Sequence, residues 1–380
     1  MHEPLVTCWE QEDRSGIGND PSAGQGELAS IPLVGNAKAL ATAWSGRSAP
    51  SGANVVSAMM RAVTPCLPGT SRHKRLQPDT DGMRLEQIGD EATAGFDVLV
   101  LADIHQPADG YRPISGGGHA PARDFVSEAI EQAPHDLLIL AGDLTDTGHP
   151  SAWRQVHSLL ASERGAMLAV PGNHDRQFQG SEQAGMPPAT VAERLHDTTG
   201  QEPGFPLVQR FDKQGQGLVV IGLDSCRRDA RGIIDNALGE VGQEQLRQAG
   251  ERLQKLRQQD DAVLLAMHHH LKGGPPLLRL LDADRVLDFI EREQVDVVVS
   301  GHIHSPQLQG HGNAVLVGVG SAHGPGEGPY ASEAPGASGY LLRMGREGLQ
   351  SARLLQPGFS QSEVRQDGRH AGSSHQGQAA

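Results

Sequence analysis

Side chains that commonly bind metal ions in proteins occur in five short clusters along this chain. The clusters are Asp103-Ile104-His105, Gly142-Asp143, Gly172-Asn173-His174-Asp175, His268-His269-His270 and Gly301-His302-Ile303-His304. They supply carboxylate, imidazole and amide groups, and none of them contains a cysteine. This ligand set suits Mn, Fe, Co, Zn or Mg at a catalytic site better than it suits a structural zinc site, where thiolates are common.

Two of the clusters have the spacing that lets one extended segment bind an ion with two side chains. Residues i and i+2 of an extended backbone point to the same side. Asp103 and His105 can therefore face one ion, and so can His302 and His304. The spacing predicts that each of these pairs contributes to a metal site.

Each cluster taken alone also fits a simpler explanation. A Gly-Asp pair after a strand is usually a turn, and a run of three histidines can be a solvated loop. The glycines that precede Asp143, Asn173 and His302 would permit sharp turns at these points. The functional interpretation depends on the whole ordered set, because five such clusters in this order are far less expected by chance than any one of them.

The elements that must position these clusters are short apolar runs typical of buried strands. The runs are Phe96–Ala102, Leu137–Ala141, Ala166–Val170, Leu218–Leu223, Ala262–Met267, Val295–Val299 and Ala314–Val319. Five of them lead directly into a polar cluster. Sites in open α/β sheets are built outside the carboxyl ends of the strands, so we expect the clusters to meet in one crevice.

Helical patterns lie between several of the predicted strands. Apolar residues with the spacing of one helix face predict helices over Pro121–Ala133, Ser151–Glu163, Val241–Gln259 and Ala283–Gln294. Alternation of strands and helices is typical of an α/β domain.

The ordered set of clusters resembles the calcineurin-like metallophosphoesterase superfamily, over about Phe96 to Leu355. The resemblance implies a four-layer α/β/β/α sandwich with two facing mixed β-sheets. It implies two divalent or trivalent ions, Mn, Fe, Zn or Co, with one set of ligands for each. The first ion would be held by Asp103, His105 and His304, the second by Asn173, His268 and His302, and Asp143 would bridge both.

The same resemblance implies roles for two further residues. His174 would face the scissile ester without binding metal, and Asp175 would orient its imidazole, as carboxylates near metal sites commonly do. His174 as an imidazolium could protonate the departing alkoxide. We therefore expect His174 and Asp175 to be the catalytic residues.

Two departures from the family pattern affect individual assignments. The sequence has His268-His269-His270 where related proteins have His-His-Pro, so either of the first two histidines could be the ligand. We favour His268 because it directly follows the strand. The segment Gln106–Ala120 is rich in Gly and Pro where relatives have a short leucine-containing turn, so substrate contacts there can differ.

Within the superfamily, Val219–Leu223 followed by Asp224-Ser225, and then Glu244–Leu246, resembles the class III cyclic-nucleotide phosphodiesterase and glycerophosphodiesterase branch. The resemblance implies a hydrolase that cleaves a small phosphodiester by attack of a metal-bridging hydroxide, with ions about 3.5–4 Å apart. A phosphomonoester or phosphoprotein phosphatase is the alternative. A third hypothesis is a metal-free interaction module on the same scaffold. It is disfavoured because every ligand position of the family pattern carries a residue that can bind metal.

The composition of the chain indicates which classes of binding partner and which cellular compartment to expect. The 380 residues carry a formal net charge of -14 and only 3% aromatic residues. An acidic chain poor in aromatic residues is a poor binder of nucleic acid or of an anionic membrane, so we expect a small phosphate ester as substrate; a homodimer stays open. Three scattered cysteines predict no disulfide framework, and no signal peptide or membrane-spanning run is evident, so the sequence predicts a cytoplasmic protein.

Composition also divides the chain into three parts. Residues 1–90 are rich in Gly, Ser, Ala and Pro without sustained periodicity, which predicts a low-complexity, disordered extension. Residues 95–357 form the predicted metallophosphoesterase domain. Residues 358–380 are polar and predict a disordered tail.

Overall fold

The computed structural model describes residues 6–7, 30–31, 95–110, 119–176, 186–228, 230, 233–323 and 337–358. The chain divides into two compact units, residues 1–55 and 56–380. In the first unit, the description is limited to an antiparallel pair of two-residue strands, β1 (Val6–Thr7) and β2 (Ser30–Ile31). Apart from these strands, the predicted extension over residues 1–90 lies outside the described residues, and so does the predicted tail beyond Gly358.

The second unit contains two mixed β-sheets. The five-stranded sheet has the order β13-β12-β3-β4-β5. Its strands are β3 (Phe96–Leu101), β4 (Leu137–Ala141), β5 (Ala166–Val170), β12 (Gly339–Gly345) and β13 (Gly348–Leu355). Strands β3, β4 and β5 are parallel, whereas β12 pairs antiparallel with β3 and with β13.

The six-stranded sheet has the order β10-β11-β9-β8-β7-β6. Its strands are β6 (Leu207–Lys213), β7 (Gln216–Gly222), β8 (Ala262–Ala266), β9 (Val297–Ser300), β10 (Pro306–His311) and β11 (Ala314–Val319). Strands β7, β8, β9 and β11 are parallel, and the two outer strands, β6 and β10, are antiparallel to their neighbours.

Helices connect the strands of both sheets. The helices are α1 (His119–Gln132), α2 (Pro150–Leu159), α3 (Pro188–Thr199), α4 (Ile233–Asn236), α5 (Gln243–Leu256) and α6 (Ala283–Arg292), with a short 3₁₀ turn at Pro276–Leu278.

Three apolar clusters hold these layers together, because successive strand residues point to opposite faces of a sheet. Val98 and Val100 of β3 pack in a cluster shared with Val220 of β7 and Leu264 of β8, so the two sheets face each other. The alternate residues of β3, such as Leu99, pack against helices α1, α2 and α3 in a second cluster. A third cluster joins the six-stranded sheet to helices α5 and α6. The predicted four-layer α/β/β/α sandwich is confirmed.

Three of the strands that carry the polar clusters have a continuous apolar sequence. Strands β4, β5 and β8 are buried along most or all of their length, as expected for parallel strands covered on both faces. No helix within the described ranges is both long and apolar enough to cross a membrane.

Candidate metal centre

The five polar clusters lie in loops at the carboxyl ends of five parallel strands. Asp103 and His105 follow β3, Asp143 follows β4, and Asn173 follows β5, all in the five-stranded sheet. The remaining predicted ligands follow strands β8 and β9 of the six-stranded sheet; they are His268, His302 and His304. Each sheet therefore contributes side chains to one shared centre.

One group of ligand atoms consists of Asp103, His105 and His304, and these atoms lie within 4.8 Å of one another. The two imidazole Nε2 atoms are 3.1 Å apart, and the His304 Nε2 atom is 3.4 Å from Oδ1 of Asp103. This is the set predicted for the first ion.

A second group consists of Asp143, His268 and His302, again with ligand atoms within 4.8 Å of one another. The His268 Nε2 atom lies 3.1 Å from Nδ1 of His302 and 3.0 Å from the amide oxygen of Asn173. The structure thus brings together all four residues predicted for the second ion.

Asp143 lies between the two groups. Its Oδ2 atom is 3.2 Å from Nε2 of His268 and 3.7 Å from Nε2 of His105. Its other carboxylate oxygen accepts a hydrogen bond of 2.8 Å from the backbone N–H of His174. One carboxylate, fixed by a backbone hydrogen bond, is therefore in position to serve both groups.

The backbone at the predicted ligands adopts a conformation that side chains other than glycine seldom take. Five of the eight non-glycine residues with positive φ in the described ranges are predicted ligands, with φ between 48° and 74°: Asp103, His105, Asp143, His302 and His304. The left-handed conformation costs an L-residue about 1–2 kcal/mol. Strain of this kind persists where the surroundings over-determine it, and it concentrates at functional sites.

Two glycines permit the carboxylates to approach the neighbouring loops. A methyl carbon on Gly172 would lie 2.7 Å from Cγ of Asp143, and one on Gly301 would lie 2.5 Å from Oδ2 of Asp103. The expectation that the glycines permit sharp turns holds for Gly142, whose φ is +87°. At Gly172 and Gly301 the requirement is space, because no Cβ atom fits beside the carboxylate.

The electrostatics of the centre favour a cation. Burial raises the pKa of Asp143, but His268, His174 and His105 outweigh this effect and hold the pKa well below its usual range. Burial lowers the pKa of His268, but the Asp143 carboxylate raises it to about 9. The buried Asp143 carboxylate thus retains its negative charge among close imidazoles, and a bound cation would neutralise that charge.

The donor set and its packing fit a pair of transition-metal ions. Six of the seven predicted ligands are buried, while His304 is partly exposed with 29% of its side-chain surface accessible. The close nitrogen and oxygen atoms are imidazole, carboxylate and amide donors, the types that Mn, Fe, Co and Zn share.

Comparison with known proteins agrees with this geometry. The calcineurin-like phosphoesterase family profile matches residues 96–306, more than half of the chain. This chain belongs to the calcineurin-like phosphoesterase family. It is a metal-dependent phosphoric ester hydrolase.

Two relatives of the phosphoesterase have names that specify a substrate. A protein of Synechococcus named "Probable cyclic nucleotide phosphodiesterase" is 28% identical over 246 residues, which cover 60% of this chain and 81% of that protein. A "cAMP/cGMP dual specificity phosphodiesterase" of Mycobacterium tuberculosis is 27% identical over 215 residues, which cover 53% of this chain and 59% of the relative. These similarities agree with the branch that the sequence resembles.

His174 lies at the edge of the phosphoesterase centre. Its ring is 4.5 Å from that of His105 and perpendicular to it, and 18% of its side-chain surface is exposed. Its Nδ1 atom lies 3.0 Å from the backbone carbonyl of Asp146, which can only accept a hydrogen bond. Nδ1 therefore donates a hydrogen bond to this carbonyl.

The expected contact between Asp175 and the His174 imidazole is not made. Both carboxylate oxygens of Asp175 accept hydrogen bonds instead from the loops of β4 and β5; the donors are the backbone N–H groups of Leu144, Thr145 and Gly172 and the Thr145 hydroxyl. Burial, followed by the charge of Asp143, raises the pKa of Asp175 to about 6. Asp175 fixes the loop geometry, while Asp146 contacts the imidazole.

Asp146 is a residue that the sequence reasoning did not select. One of its carboxylate oxygens lies 3.4 Å from Nδ1 of His105 and 3.7 Å from Nδ1 of His174. It follows Asp143 by three residues in the loop after β4, and this proximity is the signal that could have identified it.

Of the three consecutive histidines, His268 contacts the other predicted ligands, whereas His269 and His270 are hydrogen-bonded to other groups. The side chain of His269 turns to Ser225, whose hydroxyl is 2.9 Å from Nδ1, and His270 lies 2.6 Å from the carbonyl of Gly273. Only His268 has a ring nitrogen close to Asp143 and Asn173. This arrangement supports the choice of His268.

Proposed function

We propose that this phosphoesterase hydrolyses a small phosphodiester, a cyclic nucleotide or a glycerophosphodiester, at a centre with two metal ions. The observation that supports this proposal most directly is the position of Asp143, with one carboxylate oxygen 3.7 Å from His105 and 3.2 Å from His268. A carboxylate placed between two groups of ligands is suited to bridging two ions.

In this proposal each group holds one ion. Asp103, His105 and His304 bind the first, and Asn173, His268 and His302 bind the second, with Asp143 shared. Two bound ions would supply a nucleophile from water at neutral pH and would neutralise charge on the phosphoryl oxygens. The protein fixes the ligands by burial, by backbone hydrogen bonds and by close packing at Gly172 and Gly301.

His174 serves as the proton donor to the leaving group. Its Nδ1 proton is engaged by the carbonyl of Asp146, so the second nitrogen of an imidazolium can donate to a departing alkoxide. The partial exposure of this ring, beside buried ligands, suits a group that meets substrate. Phosphodiesters with alkoxide leaving groups are the substrates that gain most from such a donor.

The choice of a small phosphodiester rests on the relatives and on composition. The relatives from Synechococcus and Mycobacterium tuberculosis are named as cyclic nucleotide phosphodiesterases, and they match 60% and 53% of this chain. With 3% aromatic residues and a net charge of -14, the chain offers little for stacking or attracting a nucleic acid polymer.

The proposal is tested with a panel of substrates after reconstitution with Mn²⁺. The panel contains 3′,5′-cyclic AMP and GMP, a glycerophosphodiester, bis(p-nitrophenyl) phosphate and p-nitrophenyl phosphate. We expect higher kcat/KM for the diesters than for the monoester, and close to two ions per chain by elemental analysis. Preference for the monoester would overturn the substrate class, and one ion per chain would overturn the dinuclear centre.

Asp143→Ala is the matched variant for the dinuclear centre. We expect it to lose at least one ion and nearly all activity, because Asp143 has one carboxylate oxygen close both to His105 of one group and to His268 of the other. Retention of both ions by the folded variant would show that Asp143 does not bridge them.

A further inference from the structure

A short segment beside the centre is held firmly on both sides by backbone hydrogen bonds. It runs from Asn236, the last residue of α4, through Ala237 to Gly239. The backbone of Gly239 accepts a hydrogen bond of 2.8 Å from Leu281 and donates one of 3.1 Å to Arg279. A methyl carbon on Gly239 would lie 2.8 Å from Cβ of His269, so the segment also packs tightly on the histidine run.

Asn236 connects this segment to Asn173, a predicted ligand of the second ion that follows a strand of the five-stranded sheet. Its side chain is 3% exposed, and its Nδ2 atom donates a hydrogen bond of 2.8 Å to the backbone carbonyl of Asn173. This hydrogen bond fixes the Asn173–His174 peptide group, whose N–H donates to Asp143. It thereby also positions the Asn173 side chain, whose amide oxygen lies 3.0 Å from Nε2 of His268.

Ala237 connects the segment to a ligand from the six-stranded sheet. Its backbone carbonyl lies 3.1 Å from Nε2 of His302. A carbonyl can only accept a hydrogen bond, so Nε2 must carry the proton, and Nδ1 keeps its lone pair. Nδ1 is the atom that lies 3.1 Å from Nε2 of His268. The hydrogen bond to one ring nitrogen thus selects the tautomer that binds metal through the other.

We propose that Asn236 and Ala237 form one positioning element for the second ion, which orients one ligand from each sheet. The inference rests on the proposed dinuclear function. In the described part of the chain neither residue makes a side-chain hydrogen bond with Asp103, His105 or His304, the ligands of the first ion. Two consecutive residues therefore contact ligands of the second ion directly and reach the first ion only through the shared carboxylate of Asp143.

Substitution of Asn236 tests the proposal through metal affinity. Asn236→Leu keeps the size of the side chain but removes the donor, which leaves the buried Asn173 carbonyl without this hydrogen bond. Loss of a partner that orients a metal ligand typically weakens metal binding about 10–100-fold. We expect the second Mn²⁺ to bind about 10-fold more weakly. The affinity for the first Mn²⁺ should change much less, because Asn236 reaches that site only through Asp143. Stepwise titration of the full chain against a chromophoric chelator separates the two affinities.

Gln201→Leu is the matched control. Gln201 is also a buried amide, and its side chain donates a hydrogen bond of 2.9 Å to the carbonyl of Ala169, in the strand that leads to Asn173. The substitution therefore removes a hydrogen bond of the same kind, together with the one that Gln201 accepts from the N–H of Ala169, in the strand that precedes the ligand loop. We expect it to lower the melting temperature and to leave both Mn²⁺ affinities unchanged.

A spectroscopic measurement tests the Ala237 contact directly. In the Zn²⁺-loaded wild type, ¹⁵N NMR of the His302 ring should show the proton on Nε2 and the metal on Nδ1. The opposite tautomer would overturn the role of Ala237.

The outcomes separate this inference from the function on which it rests. Unchanged second-ion affinity in Asn236→Leu overturns the inference, as does an equal loss of both ions or an equal effect of Gln201→Leu. Asn236→Ala replaces the leucine variant if that protein does not fold. A wild-type chain that binds a single Mn²⁺ overturns the dinuclear function itself.

Discussion

Gly301→Ala should disable the first metal site although it adds a single methyl group. A methyl carbon at this position would lie 2.5 Å from Oδ2 of Asp103, 2.9 Å from Cβ of Ala102 and 3.0 Å from the carbonyl oxygen of Ala141. Ordinary contacts begin at 3.4 Å, so the carboxylate must retreat by about 0.9 Å. Ala141 is the last residue of β4 and Ala102 directly follows β3; both are buried, so these two atoms cannot move without the strands.

The size of the effect follows from this displacement. Misplacing a catalytic group by about 1 Å can cost roughly 10²-fold in rate. The same carboxylate accepts hydrogen bonds of 3.1 and 3.0 Å from the backbone N–H of His302, so its movement also disturbs the loop that carries two histidine ligands. Overpacking a well-packed site costs about 1–3 kcal/mol of folding free energy.

Three measurements check this prediction: metal stoichiometry after reconstitution, kcat/KM on a phosphodiester, and the melting temperature. Gly250→Ala in helix α5 is the control, because the nearest atoms to its methyl carbon would be at the flexible end of Glu293, at 3.1 Å, and in the Phe289 ring, at 3.7 Å. We expect the control to retain both ions and full activity. Wild-type kcat/KM with two bound ions in Gly301→Ala would refute the reasoning, since it would show that Asp103 need not be held in place.

Three further predictions concern the acid, the loop carboxylate and the N-terminal segment. His174→Ala should keep its metal content and slow the hydrolysis of alkyl esters by about 10²–10⁴-fold, with a much smaller loss on p-nitrophenyl esters, because nitrophenolate departs without a proton. Equal losses on both would show that His174 stabilises charge and donates no proton. Asp175→Asn should lower the free energy of unfolding by about 1–3 kcal/mol in urea, because at least one buried donor loses its acceptor; an unchanged stability would contradict this. Deletion of residues 1–90 should leave melting temperature and turnover nearly unchanged, since the segment shows no core-forming pattern, and a large fall in melting temperature would show that it packs on the domain.

The elements that were predictable from sequence are those buried on both faces. The predicted strands at Leu137–Ala141, Ala166–Val170 and Ala314–Val319 coincide with β4, β5 and β11, because a strand covered on both faces must be continuously apolar. Strands β6, β10, β12 and β13 were not predicted. Strands β6 and β10 lie at the edges of the six-stranded sheet, where polar side chains such as Gln209, Arg210 and Gln307 interrupt the apolar pattern.

The ligand types were predictable, but the groups that hold them in place were not. The left-handed backbone at Asp103 and the hydrogen bond from Asn236 depend on the packing of distant loops. Asp175 was expected to orient the imidazole of His174 because the two residues are adjacent in sequence. In a turn, however, the side chains of neighbouring residues point in different directions. The Asp175 carboxylate turns back toward Gly172 and Thr145, and the imidazole of His174 meets Asp146, which is 28 residues away in sequence.

Each group of ligands draws on both sheets, and this gives the metal ions a role in folding cooperativity. In the first group, Asp103 and His105 come from the five-stranded sheet and His304 from the six-stranded sheet; the second group is divided in the same way. Bound ions would therefore cross-link the two halves of the sandwich at the carboxyl ends of their strands. Ions that bind only the folded state add their binding free energy to the stability of that state. A chelator that stops turnover should also raise the unfolding rate and expose the chain to proteolysis, so the cellular abundance of this protein would follow the supply of its metals.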